Sequence, residues 1–333
     1  MKKIIVILAV VAAAAAGAYF GAQSYFEKKV VQELNSFVQM AGVDDEVEYS
    51  SISVNPISRE GLIKDVRVSD GSNFVDIKQL RFNIVDYTST IEGIRLENLG
   101  QSILIDRINV LEYKTEGKYP QKTHITVDNF KIPLNSTPAA MKSLEMDELV
   151  MDMEIKTDSD YEEMMYEYEV FNIDVEGFTE FKSNFTFGDI DIKSYEKYSD
   201  MPPEELQNNQ EFSNKISQDI SNMKLYNMSI SLEDTGIIEK IITERSKAED
   251  IEFDEAREEI VEELTEIQER AASDFEKNAL DSALTILKDE NNRYIIDINP
   301  AQPISMQELV MLTMTNSTLG PIAEQLNMSI RAE

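Results

Sequence analysis

The chain has 333 residues with 63 Asp+Glu against 31 Lys+Arg, a formal net charge of −32, and neither Cys nor Trp. At 42% hydrophobic, with 12 Gly and 9 Pro, it is too apolar for a disordered chain and too poor in Gly and Pro for a fibrous one. The acidity excludes nucleic acid as a partner, because phosphate binding needs Lys and Arg, and the missing Cys excludes disulfides, thiolate zinc sites, iron–sulfur clusters and thiol nucleophiles.

Lys2 and Lys3 precede an apolar run, and no charge falls on the 23 residues from Ile4 to Phe26. A helix of that length, at about 1.5 Å per residue, crosses a bilayer core of roughly 30 Å. Tyr19, Tyr25 and Phe26 stand toward its outer end, where amphipathic aromatics favour the interface. Residues 1–26 therefore read as a transmembrane anchor, with a cleaved signal, cut near Ala14 to Ala16, as the competing reading. Segment length favours the anchor, and so does bulky Phe20 where a cleavage site wants a small residue. Either way the bulk of the chain leaves the cytoplasm. The lysine start and alanine-rich core are bacterial in style, which makes the periplasm the expected compartment. Residues 27–46 predict an amphipathic helix and linker, with Val30, Val31, Leu34, Phe37 and Val38 on one side and Gly42 as its end.

From Val47 the apolar period changes to two. Ile52 and Val54 alternate with Ser before the Asn55-Pro56 turn, Ile63, Val66 and Val68 follow Gly61, and Asp70-Gly71 signals a hairpin. Alternation continues through Val75 to Phe82, Ile103 to Val110, Ile125 to Phe130, Leu149 to Ile155, Tyr166 to Val175 and Phe181 to Ile192, with a short helix at 138–144 between. Residues 47–199 are thus expected to form a β-rich domain of eight to ten strands, mostly antiparallel. A dry sandwich core and a greasy groove would leave the same stripes.

Residues 200–333 predict a strand–helix region. Pro202-Pro203 opens a polar helix through Phe212, Ile216 and Ile220, and a strand follows at Leu225–Leu232. After Asp234-Thr235-Gly236 comes a helical stretch, then a long acidic amphipathic helix over 254–290, capped by Asp254, with Ile260, Leu264, Ile267, Ala271, Phe275 and Ala279 on its apolar side. Tyr294–Ile298 is a strand, Ser305 and Glu308 form a capping box, Pro321 begins another short helix, and Leu326–Ile330 is the last strand. The fold class is α+β and β-rich: an N-terminal transmembrane helix, an extended sheet and a helical subdomain near the C-terminus.

The chemistry-bearing groups are carboxylates. Residues 145–169 hold 11 acids and one base, Lys156. Asp158-Ser159-Asp160-Tyr161-Glu162 alternates oxygens as a calcium loop begins, but Glu163 stands where the loop needs Gly. A strand edge protected by charge is the simpler reading. His124 is the single His, and without a Gly-x-Ser-x-Gly turn it reads as a surface residue. Methionines at 141, 146, 151 and 153, and at 306, 311 and 314, suit core filling or an adaptable apolar groove. No catalytic, cofactor-binding or metal-ligating residue is assigned, and an enzyme is not expected.

The order of these features, with Val47-Glu48-Tyr49-Ser50-Ser51-Ile52-Ser53-Val54-Asn55-Pro56 and Asp65-Val66-Arg67-Val68 early, and Ser231-Leu232-Glu233-Asp234-Thr235-Gly236 and Ile298-Asn299-Pro300-Ala301-Gln302-Pro303-Ile304 late, resembles the YdgA-like and AsmA-type envelope proteins of Gram-negative bacteria. The resemblance implies an inner-membrane anchor, an elongated β-rich periplasmic part and a role in lipid movement or envelope integrity; residues 112–224 carry none of it. The expectation is a single-pass inner-membrane protein, held through residues 4–26, that shields or transfers lipid acyl chains along an apolar sheet face. The alternative is a structural protein that docks a protein partner through the acidic helix 254–290.

Overall fold

The computed structural model describes residues 47–55, 59–70, 73–83, 85–98, 101–116, 119–133, 148–198, 201, 203–288, 292–316 and 318–333. The expected anchor at 1–26, the helix and linker at 27–46 and the short helix at 138–144 lie outside them. Among the described residues no helix is long and apolar enough to cross a membrane. The fold is β-rich, with antiparallel strands and several helices toward the C-terminus. Two compact units divide it.

The first unit holds β1 (Val47–Glu48), β2 (Ser51–Asn55), β3 (Glu60–Asp70), β4 (Asn73–Asn83), β5 (Ser89–Asn98), β6 (Gln101–Glu116), β7 (Tyr119–Pro133) and β8 (Glu148–Asp160) as far as Lys156, with residues 195–213. β1 and β2 both pair with β3, and β3 to β8 follow in sequence order. One face is apolar and buried: Ile63, Val66, Ile77, Leu80, Ile91, Ile94, Ile105 and Ile108 belong to a single core.

Those residues do not obey a simple period of two. Ile63-Lys64-Asp65-Val66, Ile77-Lys78-Gln79-Leu80, Ile91-Glu92-Gly93-Ile94 and Ile105-Asp106-Arg107-Ile108 recur every 14 residues, and Val127-Asp128-Asn129-Phe130 repeats the pattern on β7. Two polar residues between apolar ones would throw the second apolar residue to the wrong face of a regular strand. The backbone corrects this in every strand at one level. The ladders skip Asp65 opposite Lys78, Lys78 opposite Gly93, Gly93 opposite Asp106 and Asp106 opposite Asn129, with unchanged register on either side. Asp65, Gly93 and Asn129, on alternate strands, have φ of 51°, 64° and 51°. Gly, Asn and Asp are the residue types that tolerate this left-handed region. Side chains take up the slack: Asp152 Oδ1 accepts from the Asn129 amide at 2.7 Å, and Ser50 Oγ donates to Asp65 Oδ2 at 2.7 Å.

The second unit holds residues 157–194 and 214–333. Its strands are β9 (Met165–Val175), β10 (Thr179–Gly188), β11 (Lys224–Asp234), β12 (Arg293–Ile298), β13 (Ile304–Ser305) and β14 (Met328–Ala332), in the order β9-β10-β11-β12-β14 with β13 beside β11. The helices are α1 (Pro203–Asn208), α2 (Gln210–Asn222), α3 (Ile237–Glu249), α4 (Phe253–Glu269), α5 (Asp274–Leu287), α6 (Met306–Thr315) and α7 (Leu319–Gln325). α1 and the first residues of α2 belong to the first unit. Ile242, Ala256 and Leu287 join α3, α4 and α5 in one core, and Leu312, Ile322 and Leu326 join α6 and α7 to the sheet in another.

Four expectations need correcting. The single helix over 254–290 is two, α4 and α5, because Ser273 and Glu276 form a reciprocal capping box that starts a new helix where the apolar period runs on. Asp254 is not the cap: α4 begins after Glu252, which makes no side-chain cap bond, and Asp254 lies in the first turn, where the helix dipole favours it. The polar helix after Pro203 breaks at Asn209, whose Oδ1 accepts from the Phe212 amide at 2.9 Å and so starts α2. Pro321 is the third residue of α7, still among positions whose N–H needs no helical partner. The Ser305–Glu308 capping box is present at the start of α6.

Candidate functional site: an aromatic sheet face

Register decides what the second sheet presents. Tyr166, Tyr168, Phe171 and Ile173 on β9 stand opposite Phe187, Phe185, Ser183 and Phe181 on β10. These stand opposite Leu225, Met228, Ile230 and Leu232 on β11, then Ile298, Ile296 and Tyr294 on β12, and Met328, Ile330 and Ala332 on β14. Two β-bulges hold this row on one face. Tyr168-Glu169-Val170-Phe171 and Leu225-Tyr226-Asn227-Met228 each insert a residue, and the registers shift opposite them.

The other face is polar and laced by side-chain bonds. Asn172 donates to Glu180, Lys182 pairs with Glu180, Arg293 with Glu233, and Ser229 donates to Asp297, which also pairs with Arg331. Arg293 beside Glu233 holds that carboxyl below its ordinary range, and the bonds from Ser229 and Arg331 do the same for Asp297. Apart from Ile295, buried between Arg293 and Asp297, the sheet therefore shows mainly carboxylates and hydroxyls to one side and aromatics to the other.

Cover on the apolar face is uneven. At one end Leu225 is buried, and Phe187, Met228, Ile298 and Met328 pack against Leu312, Ile322 and Leu326 of the α6–α7 layer. Tyr166 is buried too. Its hydroxyl donates to the Ile190 carbonyl at 2.7 Å, and desolvation pushes it up to about 12. Toward the other end Tyr168, Phe171, Phe181, Phe185 and Ile230 are half-buried and Leu232 is 38% exposed. Rings touch along the row: Tyr168 and Phe185 at 4.4 Å between centroids, Phe185 and Phe187 at 5.1 Å, and Phe171 edge-on to Phe181 at 6.1 Å. Such a row has little to offer a proton or a charge. It offers apolar area to a guest with no polar needs.

The sequence candidates fall elsewhere. His124 lies within β7. Its Nε2 is 2.7 Å from Glu154 Oε1 on β8, and 23% of its side chain is exposed, so it is a half-buried cross-strand partner. Asp158 to Asp160 end β8, and Asp160 Oδ1 accepts from the Glu162 and Glu163 amides at 2.9 and 3.0 Å, which makes a turn rather than an ion loop. Among the described residues no three His, Asp or Glu side chains converge as a metal site. Met141 and Met146 lie outside the described residues. Met311 and Met314 are 57% and 81% exposed on α6.

A family model described as "Uncharacterized protein" matches residues 172–333, from the middle of β9 to the last residue. The match takes in most of the second unit and leaves β1 to β8 outside. No curated protein matches the chain.

Proposed function

We propose that the protein is a single-pass envelope protein, tethered to the bacterial inner membrane through residues 4–26 with its bulk in the periplasm, and that it shields lipid acyl chains along the aromatic face of β9 to β11. The observation that carries this reading is the half-buried row of Tyr168, Phe171, Phe181, Phe185 and Ile230 on a sheet whose opposite face is polar along β10 and β11. Each methylene taken from water contributes about 0.8 kcal/mol, so some six methylenes along the row contribute about 5 kcal/mol with no polar group engaged.

The test is the lipid content of full-length protein extracted from membranes in mild detergent. The reading expects phospholipid at near one chain pair per protein, and severalfold less in Phe185→Glu with circular dichroism unchanged. Wild type and Phe185→Glu retaining equal trace lipid would end it.

A second reading, partner docking, rests on α4. Glu255, Glu258, Glu262, Glu266 and Glu269 are exposed there beside Ile267, which is 51% exposed. It expects a basic partner in pull-downs that is lost on Glu258→Lys/Glu262→Lys, with lipid content unmoved.

A further inference from the structure

The fifteen residues from Leu309 to Ala323 carry no charge, in a chain that is 28% charged. They span most of α6 and the first five residues of α7. Leu312 and Ile322 turn inward and join the core. Leu309 packs against the same core and Ala323 is buried, while four apolar side chains turn outward: Val310 is 50% exposed, Met311 57%, Met314 81% and Leu319 56%. Three of the polar side chains between them are turned back on their own helix. Thr313 donates to the Val310 carbonyl, Thr315 to Met311 and Asn316 to Leu312, each at 2.8 Å. The result is an uncharged apolar patch on a chain of net charge −32.

We propose that this α6–α7 elbow is a membrane-surface contact, with Val310, Met311, Met314 and Leu319 entering the acyl region of a bilayer. The inference rests on the reading that residues 4–26 tether the chain to a membrane. Three occupants compete, and charge separates them. A basic protein would seek carboxylates, and between Glu308 and Glu324 there are none. A second copy would bring two strongly acidic chains together over four side chains a partner, where a stable interface uses about 20–30 residues a side. A bilayer asks only for apolar side chains free of charge, and the tether keeps it at high effective concentration. Met side chains, flexible and polarisable, adapt to such a disordered phase. Glu308 and Glu324 at the flanks make a zwitterionic surface the preferred one, since anionic head groups repel them.

The chain lacks Trp, so a single introduced indole reports alone. Full-length Met314→Trp would be reconstituted in phosphatidylcholine vesicles containing acyl-brominated phosphatidylcholine, beside Ile267→Trp, an exposed apolar position on α4. Bromine should quench the indole at 314 at least threefold more than the one at 267, and Val310→Glu/Met311→Glu should abolish the difference while the chain still floats with the vesicles. Equal quenching at both positions in floating protein overturns this inference and leaves the tether standing. So does an indole at 314 that is blue-shifted but unquenched, because protein then covers the patch. A chain that does not float overturns the tether and this inference with it.

Discussion

Gly61 and Phe82 form a direct cross-strand pair, and a Cβ on Gly61 would lie 1.9 Å from the Phe82 ring. The ring lies over the glycine because no other residue leaves room. Gly61→Ala is therefore expected to destabilise the first unit by about 1–3 kcal/mol, as overpacking of a filled core does. Gly177, at a φ of 63° with nothing within 4 Å of its would-be Cβ, is the control. Gly177→Ala meets backbone strain alone and should cost less in the same urea titration. Equal costs would show that the ring yields.

Titration on the polar face of the second sheet has a definite sign. Glu233 and Asp297 both have folded values lowered, chiefly by hydrogen bonds from Arg293 and from Ser229. A lowered carboxylate contributes stability that is present above its unfolded value and is lost as pH falls through its folded value. The thermal midpoint of the wild type should therefore drop as pH falls from about 5 to 3. Arg293→Gln should lower the midpoint at pH 7 by about 1–4 °C and flatten the acid limb, so that the two curves converge near pH 3. Parallel curves would remove this ion pair from the acid response.

At the scale of elements, the apolar-polar-polar-apolar tetrads do what turns do in simpler sheets: they fix where each strand may sit. Five strands change phase at one level, and left-handed residues on alternate strands absorb the change. Gly93→Val puts a β-branched side chain at a φ of 64° with its Cβ 2.8 Å from that of Lys78. A loss of about 2–4 kcal/mol is expected, read by urea denaturation; Gly93→Asn meets the same Cβ contact but tolerates the φ, and should lose less. At the α4–α5 junction, Ser273→Ala removes a cap and should cost about 1 kcal/mol, with Ser273→Asp restoring it.

These elements also show how much was legible beforehand. Most strands, the mostly antiparallel sheet and the helices after Gly236 followed from periods of two and 3.6; β5 did not, because Ile91 and Ile94 stand three apart around Gly93. The phase breaks did not, because Ile63 with Val66 reads as ordinary alternation unless the 14-residue recurrence is lined up strand by strand. The α4–α5 break was hidden because Ile267, Ala271 and Phe275 keep helical spacing across it, while Ser273-Asp274-Phe275-Glu276 spells the cap that interrupts it. His124 reads as a surface residue because its partner Glu154 lies 30 residues away, beyond any local signal. The aromatic row was visible as alternation at Tyr166 and Tyr168 on β9 and along β10, but Phe171 was not, because the β9 bulge moves it onto that face in place of Val170. That it stays half-buried was not, since exposure depends on where α6 and α7 pack.

Among the described residues, carboxylates and open apolar side chains concentrate on different elements, with exposed Ile267 on acidic α4 as an exception. Carboxylates cover α4 and the polar side of the second sheet, while apolar side chains remain open on the β9–β11 face and the uncharged α6–α7 elbow. At a net charge of −32, copies of the chain repel one another, which opposes self-association through open apolar area. On the proposed reading, such area meets apolar guests beside a membrane. The direct measurement is photocrosslinking in membranes with a phospholipid carrying an acyl-chain diazirine, followed by peptide mass spectrometry of the full-length protein. Adducts on Phe171, Phe181, Phe185 and Ile230, reduced in Phe185→Glu, are the predicted result; adducts confined to residues 4–26 would contradict the account.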